Sequence, residues 1–532
     1  MKKDLIVKYG QFKKEKLDNK KEVQFEQFVS FFTLEGIKKH FFRYSTLIFL
    51  CKEFEQISRP FLTMVMCRLM TFGECIWQNQ RGEIRKIDIE TIVSQFIIFI
   101  KEHLTYKRDL QRHFNSVEKL YEINSKSIID ELNLFSLFLR ENLPVGLISG
   151  GSISHAIGVI NNLEKCTNNK TVVVTIEHLP NIEKNAIVHN VNSEIKFRNV
   201  KDFMSIAVND IFYETINKVM EGKKCQFIYQ RCSINAYAGI KYALEYNIPF
   251  VLEYNSSEVW TSKQWGGNKL NFIDFSEKVE KLLLEKSDLI TCVSKPLKQQ
   301  LIEQGVDESK IIVTPNGVDI EKYNPELSGE FIRKEYNIDK EKIVIGFIGT
   351  FGKWHGAEVL TKAFAQLVKK QGYRKKVHLM LIGNGIRMPL VKKIIEDNDI
   401  KDLCTLTGSV PQEEGAYYLA ACDILVSPTV KNPDGTPFFG SPTKLFEYMA
   451  MGKAIIASNM DQMAEIFTNR KNAILCQPGS AEELVEGMII LIDNGNLREK
   501  IGICARELVC EKYSWEKHTH HIVQALRGRL NG

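Results

Sequence analysis

The chain reads as an α/β protein built on parallel sheets covered by helices, preceded by a mainly helical amino-terminal extension. Three observations predict this. Beyond residue 146, short apolar runs of strand length alternate with segments whose apolar residues recur at helical spacing, the pattern of strands buried on both faces. Several runs end in glycine-containing turns, and ligands of such folds bind beyond the carboxyl ends of the strands, where those turns lie. Residues 1–142 show instead apolar residues at helical spacing with few turn signals between.

In the extension, segments 46–57, 61–70, 87–103 and 128–141 read as helices. Their aromatic and Met residues read as core; a lipid groove would need Tyr44, Phe49, Phe61 and Phe72 exposed together. Lys2, Lys3, Lys8, Lys13, Lys14, Lys16, Lys20 and Lys21 make a basic amino-terminal segment. It reads as a solvated tail, with contact to anionic lipid heads as the alternative. Residues 147–149 then read as a strand that feeds a glycine-rich turn, Gly150 and Gly151, and a helix carrying His155. Further buried strands are expected at 227–231, 250–255 and 289–294, and residues 311–319 close this domain. Pro325, Gly329 and mixed charges then break the periodicity, which places the boundary near 325.

The second domain opens with the apolar run 343–349 and the turn 350–356. Its glycines, Gly352 among them, let backbone approach a ligand closely, while Lys353 and His355 offer charge or hydrogen bonds to phosphate oxygens. The run 378–382 leads to Gly383-Asn384-Gly385, and further strands are expected at 405–411, 423–428 and 454–458.

The most informative stretch is 440–458. Ser441 is suited to cap a helix, Pro442 to its first position, and Gly452 to a left-handed stop. Gly440, Ser441, Pro442 and Thr443 thus lead into a first turn whose free N–H groups and dipole favour a phosphate, and Lys444 adds a positive charge there. Glu447 follows three residues on, on the same face. A cation for a diphosphate and a carboxylate for two vicinal ribose hydroxyls would line one pocket; the alternative is an ordinary surface pair.

Taken in order, the segments 349–356, 383–385, 407–411, 441–452 and Tyr513-Ser514-Trp515 resemble the donor-binding domain of the family 4 retaining glycosyltransferases, over residues 343–525. The resemblance extends more thinly upstream, where it implies that His155 and the Gly150-Gly151 backbone face the cleft. It implies the GT-B fold, two facing Rossmann-like domains with parallel sheets. The domains expected are 1–142 (helical extension), 143–325 (acceptor side), 326–510 (nucleotide-sugar side) and 511–532, a terminal helix crossing back to the first Rossmann-like domain. It further implies transfer of a sugar from a nucleoside diphosphate sugar, UDP-sugar favoured over GDP-sugar, to a glycan, glycolipid or protein acceptor, with retention of configuration and no metal or other cofactor. Relatives place two carboxylates around the donor. Glu447 fits the second, while Phe439 holds the position of the first, leaving Asp434 as substitute. Thr350 and His355 stand where relatives carry Arg and Lys, so charge falls to Lys353 and Lys444. Backbone near Val410 reads the base. Asn255 and Glu258 stand where a His usually meets the sugar.

Composition agrees. A chain of 532 residues with 44% hydrophobic content holds two or three domains. Its 12 Cys lack any CxxC pair, which argues against a disulfide framework or zinc. His518, His520 and His521 lack partners at ligand spacing. A net charge of +6 with interspersed signs is not a nucleic-acid signature. No secretory h-region or apolar 18-residue stretch is present, so a cytoplasmic location is expected, with the inner face of a membrane as a further one. Trp260 and Trp265, near Glu258, would stack on an acceptor sugar or close over a core edge. Self-association through the extension is left open. The alternatives to transfer are a non-catalytic nucleotide-sugar-binding scaffold and, with less support, a sugar-nucleotide epimerase.

Overall fold

The computed structural model describes residues 4–9, 20–32, 40–51, 53–124, 134–141, 150–177, 179–183, 185–191, 195–264, 270–432 and 434–531. They form three sheets. The amino-terminal region has helix in quantity, above all the 34-residue Ile89–Glu122 helix, whose start is capped by the Asp88 carboxylate accepting from Thr91 N at 2.8 Å. It also contains a five-stranded sheet that the spacing did not announce: β1 (Asp4–Lys8), β2 (Lys20–Gln24), β3 (Tyr44–Leu50), β4 (Thr71–Gln78) and β5 (Ile84–Lys86), in the order β2-β1-β3-β4-β5. All its pairings are parallel except β4 with β5.

Two segments expected as helices are therefore corrected. Residues 46–57 lie mostly in β3 and a 3-10 turn, and segment 128–141 ends in the strand β6 (Leu134–Arg140). Both are short runs rich in β-branched and aromatic residues, which favour a pleated surface, and periodicity alone does not separate such a run from a buried helix. Tyr44 and Phe49 are buried with Trp77 in the core over the first sheet, whereas Phe72 is exposed. The four aromatics thus form no groove. Lys8 is buried and paired with Glu22 at 2.8 Å, so it belongs to the sheet and not to a solvated tail. Lys2, Lys3, Lys13, Lys14 and Lys16 lie outside the described residues.

The second sheet consists of β6, β7 (Thr171–Thr175), β8 (Ile187–Asn190), β9 (Lys224–Arg231), β10 (Phe250–Tyr254), β11 (Leu289–Cys292) and β12 (Ile311–Val313). Its order is β12-β11-β10-β9-β6-β7-β8, all parallel. Because β6 is a central strand, this half begins before the boundary expected at residue 142; the strand expected at 147–149 lies outside the described residues. The third sheet has β13 (Ile343–Ile348), β14 (Val377–Ile382), β15 (Cys404–Gly408), β16 (Ile424–Ser427), β17 (Ala454–Ser458) and β18 (Ile474–Cys476), in the parallel order β15-β14-β13-β16-β17-β18. The apolar runs expected as strands between residues 227 and 458 all fall on strands of these two sheets. Burying one Val, Leu or Ile contributes about 1.5–3 kcal/mol, and each sheet buries such residues on both faces.

Two segments pass side by side between the halves. Val318 N donates to Tyr513 O at 2.9 Å and Trp515 N to Val318 O at 3.2 Å. Val318 already packs in the core of the third sheet, so the chain crosses at residues 315–317, before the break expected near 325. The last helix, Trp515–Asn531, returns to the second sheet, where Ile522, Val523 and Leu526 are buried with Phe138 and Tyr229. Trp515 lies over Gly158, where a Cβ would come 2.3 Å from the ring. Strand order reverses between β6 and β9 and between β13 and β16, and the crevices at these two switch points are the fold's natural ligand sites.

Candidate active site

The two crevices share one cavity of about 600 Å³, within the usual range for a small-molecule site. Direct contacts close it from both sides. Gly150 N donates to Gln412 Oε1 at 3.1 Å, Gln412 Nε2 to Ser154 Oγ at 2.7 Å, and Ser294 Oγ to Phe439 O at 2.6 Å.

On the side of the third sheet, the Thr443–Ala450 helix points its first turn into the cavity. Its cap residue is Pro442 and not Ser441 as expected, because the Ser441 hydroxyl is engaged elsewhere, accepting from Asn316 N at 3.1 Å. Gly452 does end the helix in the left-handed region, with φ of 62°. Lys444 is buried with its Nζ 4.2 Å from the Phe347 ring centroid and without any hydrogen-bond partner. Burial pulls its amine down to about 7, against the opposing charge of Glu447. Glu447 is buried too, and burial raises its carboxyl, while the Lys322 charge, a hydrogen bond from the Tyr323 hydroxyl and Lys444 work the other way. An exposed surface pair is therefore not what these residues form.

The strand-end turns complete this wall. A Cβ at Gly349 would sit 3.1 Å from Lys444 Nζ, and one at Gly383, whose φ is 122°, would sit 1.9 Å from Gly349 O. Glycine at both positions lets the three groups converge. His355 lines the cavity, and burial, helped by the Lys444 charge, holds its imidazole well below the ordinary value, so it enters as a neutral ring. Val410, Gly440, Pro442 and Thr443 also line it. Lys353, Gly352 and Gly385 do not. Gly352 and Gly385 serve the turn itself, since a Cβ would strike the Trp354 ring at 2.9 Å or Thr350 O at 2.8 Å.

On the opposite side, Gly150, Gly151 and His155 line the cavity. Arg140 at the end of β6 is fully buried, pairs with Glu177 and donates to Ser152 O at 3.1 Å, holding the glycine turn in place. His155 is buried between Trp515 and His518, each 5.0 Å away by ring centroids, and burial pulls it to about 3. Its Nε2 lies 3.4 Å from Glu253 Oε1. Glu253 also accepts from Arg231, from Tyr229 Oη at 3.1 Å and from Asn255 Nδ2. Burial pushes its carboxyl up, but Arg231, His155 and Asn255 together outweigh that and hold it at about 2. Arg231 and Asn255 present their side chains to the cavity from this anchored carboxylate.

Sequence reasoning did not single out Arg231, Glu253, Tyr323 or Gln412. The signal for Glu253 was present: a carboxylate between Leu252 and Tyr254 in a strand buried on both faces requires a partner. Two further expected residues, besides Lys353, Gly352 and Gly385, fall outside the cavity. Glu258, half-buried, starts a short helix with its N–H donating to Glu280 Oε2 at 3.1 Å. Asp434 is exposed, its carboxylate turned back on Thr436 Oγ1 at 2.7 Å, which caps its own turn. Phe439 is buried against the core of the second-sheet half, with Trp260 edge-on at 5.1 Å. Trp260 therefore closes a core edge; Trp265 lies outside the described residues.

Comparison with known proteins agrees with this geometry. The profile of the family described as Glycosyltransferase Family 4 matches residues 151–322, and that of Glycosyl transferases group 1 matches residues 328–508. An uncharacterised glycosyltransferase of Methanocaldococcus jannaschii is 30% identical over 250 residues, which cover 47% of this chain and 60% of that protein's own length. A glycosyltransferase of Rickettsia africae superposes with a TM-score of 0.58 at 19% identity, over 75% of this chain and 100% of that one. HepE of Anabaena, solved with UDP and glucose, gives 0.57 at 16% identity, over 74% and 99%. The two facing Rossmann-like halves are thus of the GT-B fold, and the chain belongs to the family 4 glycosyltransferases, glycosyl transferases group 1.

Proposed function

We propose that the chain transfers a glycosyl group from a nucleoside diphosphate sugar to a glycan, glycolipid or protein acceptor, with retention at the anomeric carbon and without a metal. One observation carries this reading. Lys444 is a buried amine with no hydrogen-bond partner at the open turn of a helix, a costly arrangement unless an anion enters. A diphosphate placed there would have its charge met by Lys444 and the first-turn N–H groups, and Glu447 would accept from the ribose hydroxyls. In the transfer step the bond from the anomeric carbon to the diphosphate oxygen breaks and its electron pair stays on the diphosphate. The acceptor oxygen bonds to the same face of the sugar, and its proton passes to the departing diphosphate. Preorganised charge and N–H donors in a closed cleft stabilise that departure. UDP is the favoured carrier because HepE, of like fold, is solved with UDP and glucose; GDP is the second choice.

The test is incubation of the full chain with UDP- and GDP-sugars and candidate acceptors, with the anomeric configuration of products read by NMR. A product of the donor's own configuration supports the reading. Inversion, or isomerisation of the sugar nucleotide with no acceptor consumed, overturns it.

A further inference from the structure

The Ile89–Glu122 helix is buried only toward its end, at His113, Val117 and Leu120. Its first half carries an apolar stripe largely open among the described residues: Ile89, Val93, Phe96, Ile97, Ile100 and Leu104, from 42% exposed at Ile100 to 79% at Leu104, with Phe96 at the edge touching Phe61 at 5.3 Å between ring centroids. The spacing keeps them on one face of a helix. With side chains of roughly 200 Å², six residues this exposed present several hundred Å², more than a typical monomer leaves open and near the roughly 800 Å² each partner gives to a stable interface.

The order of the stripe indicates what covers it. Its positions are symmetric about the midpoint between Phe96 and Ile97: Ile89 mirrors Leu104, Val93 mirrors Ile100, and Phe96 mirrors Ile97. A second helix of the same sequence, laid antiparallel, therefore sets every apolar residue against an apolar residue. The charges fit this pairing to within two residues, about 3 Å along the axis. Glu90 and Lys101, about three turns apart, stand exposed on one flank of the stripe, and the two-fold puts Glu90 of one copy beside Lys101 of the other, twice. A lipid surface fits less well. Interfacial helices are rich in Lys and Arg, whereas this helix balances five Lys and Arg with five Asp and Glu.

We infer that a second copy of this chain occupies the stripe, forming a two-fold dimer through antiparallel Ile89–Glu122 helices. The test is sedimentation velocity on the full chain at micromolar concentration, with variants at exposed positions that leave the fold intact by circular dichroism. The expected results are twice the chain mass for the parent, chain mass for Ile97→Glu, a shift toward chain mass for Glu90→Lys and for Lys101→Glu, and recovery of the dimer in the Glu90→Lys/Lys101→Glu double variant. A monomeric parent, a dimer indifferent to Ile97→Glu, or a double variant no better than the singles overturns the proposal. So does a monomeric parent that floats with phosphatidylglycerol vesicles and loses this with Ile97→Glu.

Discussion

Gly151 and Thr443 meet across the cleft so closely that a Cβ on Gly151 would lie 2.7 Å from the Thr443 hydroxyl. One opens the Gly151–Thr167 helix and the other the Lys444 helix, so their contact sets how far the halves close. Gly151→Ala is expected to hold the halves apart and reduce kcat/KM by at least ~10-fold, or about 1.4 kcal/mol. Adding Thr443→Gly removes the obstructing side chain and is expected to recover part of the loss. Steady-state kinetics on the three variants checks this; a double variant as poor as Gly151→Ala would contradict a steric cause.

Lys444→Ala is expected to reduce turnover by about 10²–10³-fold, the usual cost of losing one group that stabilises transition-state charge. The variant should remain folded, because the lost packing of the side chain is set against relief from burying an amine with no hydrogen-bond partner. An active Lys444→Ala enzyme would remove the residue from the site.

The same amine gives a pH signature. Its value of about 7 in the folded chain lies below the ordinary 10.5, so between these limits the folded chain binds fewer protons than the unfolded one and this group makes stability rise with pH. A bound diphosphate restores the charged form, so binding takes up a proton in that window and weakens as pH rises from about 7. Titrations at pH 8 in buffers of different ionisation enthalpy should show proton uptake in the parent and lose that part of it in Lys444→Ala.

Glu253→Gln is expected to destabilise the fold by about 3–5 kcal/mol, since it breaks a buried pair and leaves Arg231 without its counter-charge. Held near 2 against an ordinary 4.5, this carboxylate contributes stability that is full above pH 4.5 and is lost as pH falls toward 2. Urea unfolding of parent and variant at pH 7 and pH 3 measures it: the gap between them should narrow at the lower pH.

The sequence carried the two Rossmann-like halves well because parallel strands buried on both faces are nearly pure apolar runs, as in β14 and β17. It carried one wall of the cavity because Ser441, Pro442, Lys444 and Glu447 lie within seven residues of one another in sequence. The five-stranded sheet was not legible, since the apolar spacing in β3 reads equally as one face of a helix and the pairing of β3 and β4 is set by tertiary contacts. The opposite wall was legible only at Gly150, Gly151 and His155; Glu253 and Arg231 come from two further elements, and only the fold brings them within reach of His155. Asp434 and Glu258 lie near the cavity in sequence, but the Asp434 carboxylate is turned back on Thr436 and Glu258 starts a helix with its backbone N–H held by Glu280.

The central claim is that the Thr443–Ala450 helix with Lys444 and Glu447 binds the nucleoside diphosphate of the donor. Calorimetric titration of the full chain with UDP, GDP, ADP and CMP, repeated on Lys444→Ala and Glu447→Ala, tests it most directly. The account predicts micromolar binding of one nucleoside diphosphate, about −8 kcal/mol, lost in both variants. Equal binding by the parent and both variants, or no binding of any nucleotide by the folded parent, would contradict it.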